Sequence, residues 1–244
     1  MIKFAPLISI YGLEGSKDIQ NEVIWTFSSN LKGVGSVRQR FNIHVVEKKS
    51  EERCSLEGSI KSIWRVFDLQ HFLICSKKLI KSILLDFIVD SLLEVSNELG
   101  WKRNEINKAK EQSVLKDIEF FYSSIPINNS TGNVKAHVEL ELIGDRVLIW
   151  IVFLYKKSNK VVRKHLIDTS EAQISWYRKF KEPRWISSEQ FGFVFEDGII
   201  LSMNTKTLKK DWIGQNSLKY ELFKKEIDYN YNLTSEERAR LMNW

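Results

Sequence analysis

Two short stretches of the chain hold side chains that could do chemistry. In the first, His137, Glu139 and Glu141 recur at every second position. On an extended strand that spacing puts all three on one face, neighbours about 6.6–7 Å apart. An imidazole and two carboxylates could ligate a metal ion or relay protons. A catalytic metal, however, wants three ligands that converge on a point and leave one position open. Side chains in line on one strand diverge, so they would need help from a neighbouring strand, with His165 one source. They read instead as the wet face of a sheet.

The second stretch is SWYRKFKEPRW, Ser175 to Trp185, in which four aromatic residues are interleaved with four basic ones. Proteins that bind single-stranded nucleic acid combine stacking rings with a basic groove. As a strand, the segment places Ile174, Trp176, Arg178 and Phe180 on one face and Ser175, Tyr177, Lys179 and Lys181 on the other, with Pro183 limiting its extension. As a helix, Ser170 could cap it and leave Tyr177 and Phe180 one turn apart. Lysine stems on an edge strand look the same and discourage aggregation, and no signature of an RNA- or DNA-binding fold surrounds the stretch. The candidate partner-binding residues are therefore Trp176, Tyr177, Arg178, Lys179, Lys181, Arg184 and Trp185, joined by Trp212. Eight tryptophans are more than a core of a few layers needs, and Trp is favoured where proteins meet. Trp212 and Trp244 are the ones expected outside the core.

Other chemistry lacks its motif. The histidines never form HxH, HxxxH or HExxH, so neither His44 nor His71 belongs to a metal-binding histidine motif. There is no GxSxG elbow, and Cys54 has no histidine near it in sequence. Gly33-Val34-Gly35-Ser36 lacks the third glycine of a dinucleotide loop and leads toward a strand, so it reads as a turn. No catalytic residue, metal site or cofactor is expected. Two cysteines twenty-one positions apart give no disulfide framework, which points to a reducing, cytoplasmic setting. The first residues read as a strand rather than a leader. The longest apolar run, Val147 to Tyr155, is about half of the ~20 residues a membrane helix needs. A net charge of +6, spread over pairs such as Lys77-Lys78 and Lys209-Lys210, favours acidic partners without choosing among them.

The elements that must position these residues read as α+β, antiparallel sheets with a central helical hairpin packed on them. With 244 residues, 43% of them hydrophobic, the chain can bury a core without metal or disulfide. Residues 1–75 read as a β-rich part, with strands over Glu22–Leu31 and Ser36–Glu47 joined as a hairpin at Lys32–Gly35. In the second strand Val37, Gln39, Phe41, Ile43 and Val45 face inward and Arg38, Arg40, Asn42 and His44 outward. Ile60 to Ile74 fits a third strand or the lead into a helix, with strand preferred. Residues 76–244 open with a helical hairpin. Ile80, Ile83, Leu84, Phe87, Ile88, Leu92, Val95 and Leu99 keep helical spacing between an N-cap at Ser76 and a stop at Gly100. A second helix is expected from Asn104 to about Tyr122, with Ile106, Ala109, Val114, Ile118 and Phe121 inward. An antiparallel meander follows over Val134–Leu142, Val147–Tyr155 and Val161–Ile167, the middle strand apolar on both faces. A hairpin around Glu196-Asp197-Gly198 comes next, and a capping box at Thr234 and Glu237 starts a final short helix. The two parts are expected to pack as one unit.

The run LIKSILLDFIVDSLLEVSNELGW, Leu79 to Trp101, followed by a second helix and the meander from Val134 to Ile167, resembles in layout the small cytosolic immunity proteins that bacteria encode beside toxins. The resemblance covers about half the chain and carries no diagnostic motif, so it transfers no residue. It implies a non-enzymatic protein that binds and neutralises a toxin domain. Immunity proteins of nuclease toxins tend to be acidic, whereas this chain is basic, so an acidic or non-nuclease effector is implied. A basic nucleic-acid-binding accessory protein is the alternative.

Overall fold

The computed structural model describes residues 6–13, 16–35, 39–144, 146–168, 182–195 and 199–214. The chain divides into two compact units, Met1–Phe120 and Phe121–Trp244. The expected boundary near residue 75 therefore moves, and the helical hairpin falls with the N-terminal unit. The fold is α+β, as the sequence indicates.

In the first unit, β1 (Leu7–Tyr11), β2 (Arg40–Val46), β3 (Arg53–Glu57) and β4 (Ile60–Val66) form a sheet in the order β1-β2-β4-β3. Unlike the antiparallel sheet expected, β1 and β2 are parallel, as are β2 and β4, and only β3 runs antiparallel. Parallel neighbours need a crossover, and here it is α1 (Lys17–Asn30), not the strand expected over Glu22–Leu31. The reason for the miss is physical: Glu22 through Ser28 are all buried, so the segment shows no one-sided period. The supposed hairpin at Lys32–Gly35 is the exit from that helix. Ile60 to Ile74 proves to be both readings in turn, β4 and then the short α2 (Leu69–Ile74).

The helix α3 (Lys77–Val95) matches its sequence pattern. The Ser76 hydroxyl accepts from the Leu79 N–H, and Leu84, Phe87, Ile88, Leu92 and Val95 are buried. Past its end, Gly100 takes φ +65° and the Trp101 N–H returns to the Ser96 carbonyl at 2.7 Å. α4 (Arg103–Val114) is shorter than expected. Val114 is exposed, and Phe121 is half exposed on a strand, while Ile118 is buried in the turn beyond the helix. Asp117 and Ile118 adopt φ of 51° and 53°, which ends any helical continuation. Phe27, Phe41, Ile43, Ile63, Leu84 and Ile88 make the centre of this unit's core, each at about 1.5–3 kcal/mol.

One buried ion pair fixes the helices to one another. Lys81 Nζ on α3 lies 2.7 Å from Glu22 Oε1 on α1 and 3.3 Å from the Ile118 carbonyl after α4. The half-exposed Lys77 approaches the other Glu22 oxygen at 3.3 Å.

The second unit holds two antiparallel sheets among the described residues. One combines β5 (Phe121–Ser123), β6 (Ile127–Asn128), β7 (Val134–Ile143), β8 (Arg146–Tyr155) and β9 (Lys160–Asp168). β8 lies between β7 and β9, as its two apolar faces require. The other is β10 (Arg184–Trp185), β11 (Gln190–Val194), β12 (Ile200–Asn204) and β13 (Lys210–Ile213), in that order. The hairpin expected near residues 191–203 is β11–β12. Trp185 joins the sheets, its ring against Phe153 and Phe191 and its Nε1 donating to the Ile127 carbonyl at 3.0 Å. Asn129 donates to the Ser188 carbonyl, and the Tyr155 hydroxyl to that of Thr205. At Gly192 an added Cβ would fall 2.1 Å from the Leu201 carbonyl oxygen, so only glycine fits that strand crossing. The helical segment expected at Thr234 lies outside the described residues. Among them, no helix is long and apolar enough to cross a membrane.

Removing one member of a buried ion pair strands the other. Lys81→Met is expected to lower the unfolding free energy, measured by urea titration, by about 3 kcal/mol. Adding Glu22→Leu should restore most of it. A single-variant loss under about 1 kcal/mol would contradict the pair's structural role.

Candidate functional site

The helices of the first unit pack on one face of its sheet. Lys61 and Arg65 reach Glu98 and Glu94 at the end of α3 and just beyond it, and Phe41 meets Trp101. Side chains of opposite parity point away from that layer. Register places Tyr11 beside His44, His44 beside Trp64 and Trp64 beside Arg53, one residue from each of four adjacent strands.

These four side chains form a continuous row. The rings of Tyr11 and His44 stack with centroids 4.9 Å apart and 14° between planes. Those of His44 and Trp64 stack at 4.6 Å and 10°. The Arg53 guanidinium closes the row 4.3 Å above the Trp64 ring. The spacing matches the ~4.8 Å between neighbouring strands, so the rings stand upright on the sheet and show their edges to solvent. Tyr11 and Arg53 are exposed, His44 and Trp64 half-buried. Arg53 has no carboxylate partner among the described residues.

This geometry settles which ring surfaces are free. Both faces of His44 and both faces of Trp64 are spent, on Tyr11, on each other and on Arg53. Only the outer face of Tyr11, on the edge strand, carries no ring or guanidinium among the described residues. Base stacking uses ring faces; upright edges and a guanidinium instead suit the mixed apolar and polar surface of a protein.

Burial, and after it the Arg53 charge, hold the His44 imidazole below its ordinary value. The ring is therefore neutral at pH 7. Because the unfolded chain takes up this proton more readily, stability is retained above the ordinary histidine value and lost as pH falls through the lower folded one.

The sequence-derived histidine and glutamates form a different arrangement. The Arg163 guanidinium on β9 reaches across β8 to Glu139, 2.7 Å from Nε, and to Glu141, 2.5 Å from Nη2. It lies 4.0 Å over the Trp150 ring, while His137 Nε2 stands 3.3 Å from Glu139. Both glutamate hydrogen bonds help hold the Arg163 pKa above its ordinary value against the opposing effect of burial. The face is not simply wet: His137 is 8% exposed. His165, at the Trp150 edge, is held below its usual range by burial, then by Lys210 and Arg146. Among the described residues no three His, Cys, Asp or Glu stand together to hold a metal.

Of the residues singled out in sequence, Trp176, Tyr177, Arg178, Lys179 and Lys181 lie outside the described residues. Arg184 is exposed on β10, Trp185 is engaged within its unit, and Trp212 is half-buried on β13. The aromatic row escaped sequence reading because its members are scattered from residue 11 to residue 64. One signal pointed to it, the outward parity of Arg40, Asn42 and His44.

Comparison with known protein families, with curated proteins and with solved structures finds no match to this chain.

The His44 ring proton resonances are expected to titrate with a midpoint below 6.5, read by NMR. Arg53→Ala should move that midpoint part of the way back, burial being the larger cause. A midpoint at or above the ordinary value would contradict the stacked, partly desolvated ring.

Proposed function

We propose that the chain is a non-enzymatic protein-binding protein that receives its partner on the face of the first sheet turned away from its helices, and that the partner is a bacterial toxin domain it neutralises. The observation that carries the binding reading is the upright row of Tyr11, His44, Trp64 and Arg53. Aromatic edges supply burial at low conformational cost, and Trp, Tyr and Arg dominate binding energy where proteins meet. An unpaired guanidinium and a net charge of +6 suit an acidic surface. The toxin reading rests on the resemblance in layout to immunity proteins.

Nucleic acid is the weaker reading, because the ring faces that bases would need are occupied. If phosphates were the target, affinity would fall steeply with salt, by about 0.7–0.9 log units per contact for each tenfold change.

Immobilised chain is expected to hold its partner from an extract of the source cell at high salt. Trp64→Ala combined with Arg53→Ala should release it. Expressed alone, the captured protein should arrest growth, and co-expression of the chain, but not of the double variant, should relieve the arrest. A harmless partner would remove the toxin reading. Tight, salt-sensitive oligonucleotide binding in place of capture would remove the protein-binding reading as well.

A further inference from the structure

Beside the aromatic row runs a second row of short polar side chains. Ser9, Asn42, Ser62 and Ser55 pair across the same four strands, two residues back on β1, β2 and β4 and two on along the antiparallel β3. Beyond them a third row holds Leu7, Arg40, Ile60 and Glu57. All three rows share the face turned away from the helices. Small residues between larger ones make a trough that crosses the strands. One wall is Tyr11, His44, Trp64 and Arg53, and the other is Leu7, Arg40, Ile60 and Glu57. At ~3.3 Å per residue the wall rows are about 13 Å apart, which leaves room for one extended chain between their side chains.

The floor has unused hydrogen-bonding capacity, in reach of solvent at Ser9, Asn42 and Ser55 and nearly covered at Ser62. None of the Ser9, Asn42, Ser55 or Ser62 side chains bonds to another part of the protein among the described residues. An Asn amide both donates and accepts, and a Ser hydroxyl does the same. These are the capacities that match the N–H and C=O groups of an extended peptide. The walls add apolar contact from Leu7, Ile60 and the ring edges. Charge is also biased: Arg40 and Arg53 are exposed without a carboxylate partner among the described residues, against the single Glu57 carboxylate in the three rows. The neutral His44 adds no positive charge at pH 7.

We infer that this trough binds an extended, acidic peptide segment of the partner, whose backbone pairs with the Asn42 and serine floor and whose carboxylates meet Arg53 and Arg40. The inference rests on the protein-binding reading of this face and specifies the part of the partner that enters it. A flat acidic surface would meet the walls and leave the floor unpaired. An extended segment reaches both.

Fluorescence anisotropy with the full chain tests this, using short acetyl-capped peptides that alternate Glu with the strand-favouring Val. Their Lys-Val counterparts and oligo(dT) serve as the other probes. The Glu-Val peptide is expected to bind and the Lys-Val peptide not. Arg53→Glu and, separately, Asn42→Ala should each weaken binding about tenfold with unchanged thermal midpoints, both side chains being outside the core. Equal binding of the two peptides, no binding of the acidic one, or full affinity in both variants would overturn the inference. If the partner is still captured through Trp64 and Arg53 while the acidic peptide fails to bind, the protein-binding reading stands and only the extended segment is lost. If oligo(dT) binds instead and needs the same residues, both are lost.

Discussion

Parallel pairing of β1 with β2 and of β2 with β4 is the constraint from which the first unit follows. Two parallel neighbours cannot be joined by a tight turn, and a crossover bonded to itself must lie on one face of the sheet. α1 is that crossover, and the Glu22–Lys81 pair ties it to α3. With the helices gathered on one side, the inner parity of the strands is committed to Phe41, Ile43 and Ile63. The outer parity is left for other use. Parallel register then aligns Tyr11, His44 and Trp64 side by side, which no local motif could do.

Arginine over tryptophan occurs in both units, with different consequences. Arg163 over Trp150 is clamped by Glu139 and Glu141, so its charge is answered within the sheet and the cluster acts as a structural latch. Arg53 over Trp64 has no such clamp and keeps its charge for something else. The same pairing of side chains thus reads as architecture in one unit and, in the proposed function, as a binding feature in the other. What separates them is whether a carboxylate lies within reach.

Legibility in the sequence tracked how one-sided each element's environment is. α3 could be read because only one stripe of it is buried and because Ser76 and Gly100 mark its ends. The β7–β9 meander could be read because β7 alternates and β8, a central strand, does not. α1 could not, since burial around most of its surface lets Val23, Ile24, Trp25, Thr26 and Phe27 follow one another as they would in a strand. The end of α4 was missed because Ile118 keeps helical spacing while its backbone has already turned left-handed. The outer face of the first sheet was half legible. Arg40, Asn42 and His44 announced an outward side, but their companions on β1, β3 and β4 became neighbours only through long-range register.

The trough and its aromatic wall support one proposal, that a protein docks on the outer face of the first sheet. Site-specific photo-cross-linking in the source cell measures it most directly. A benzophenone side chain at Tyr11, on the edge strand of that face, is compared with one at Ile125, which is 81% exposed in the other unit. A discrete, nuclease-resistant protein adduct is expected from position 11 and absent from position 125. An adduct of equal strength from position 125, or one from position 11 that nuclease removes, would contradict it.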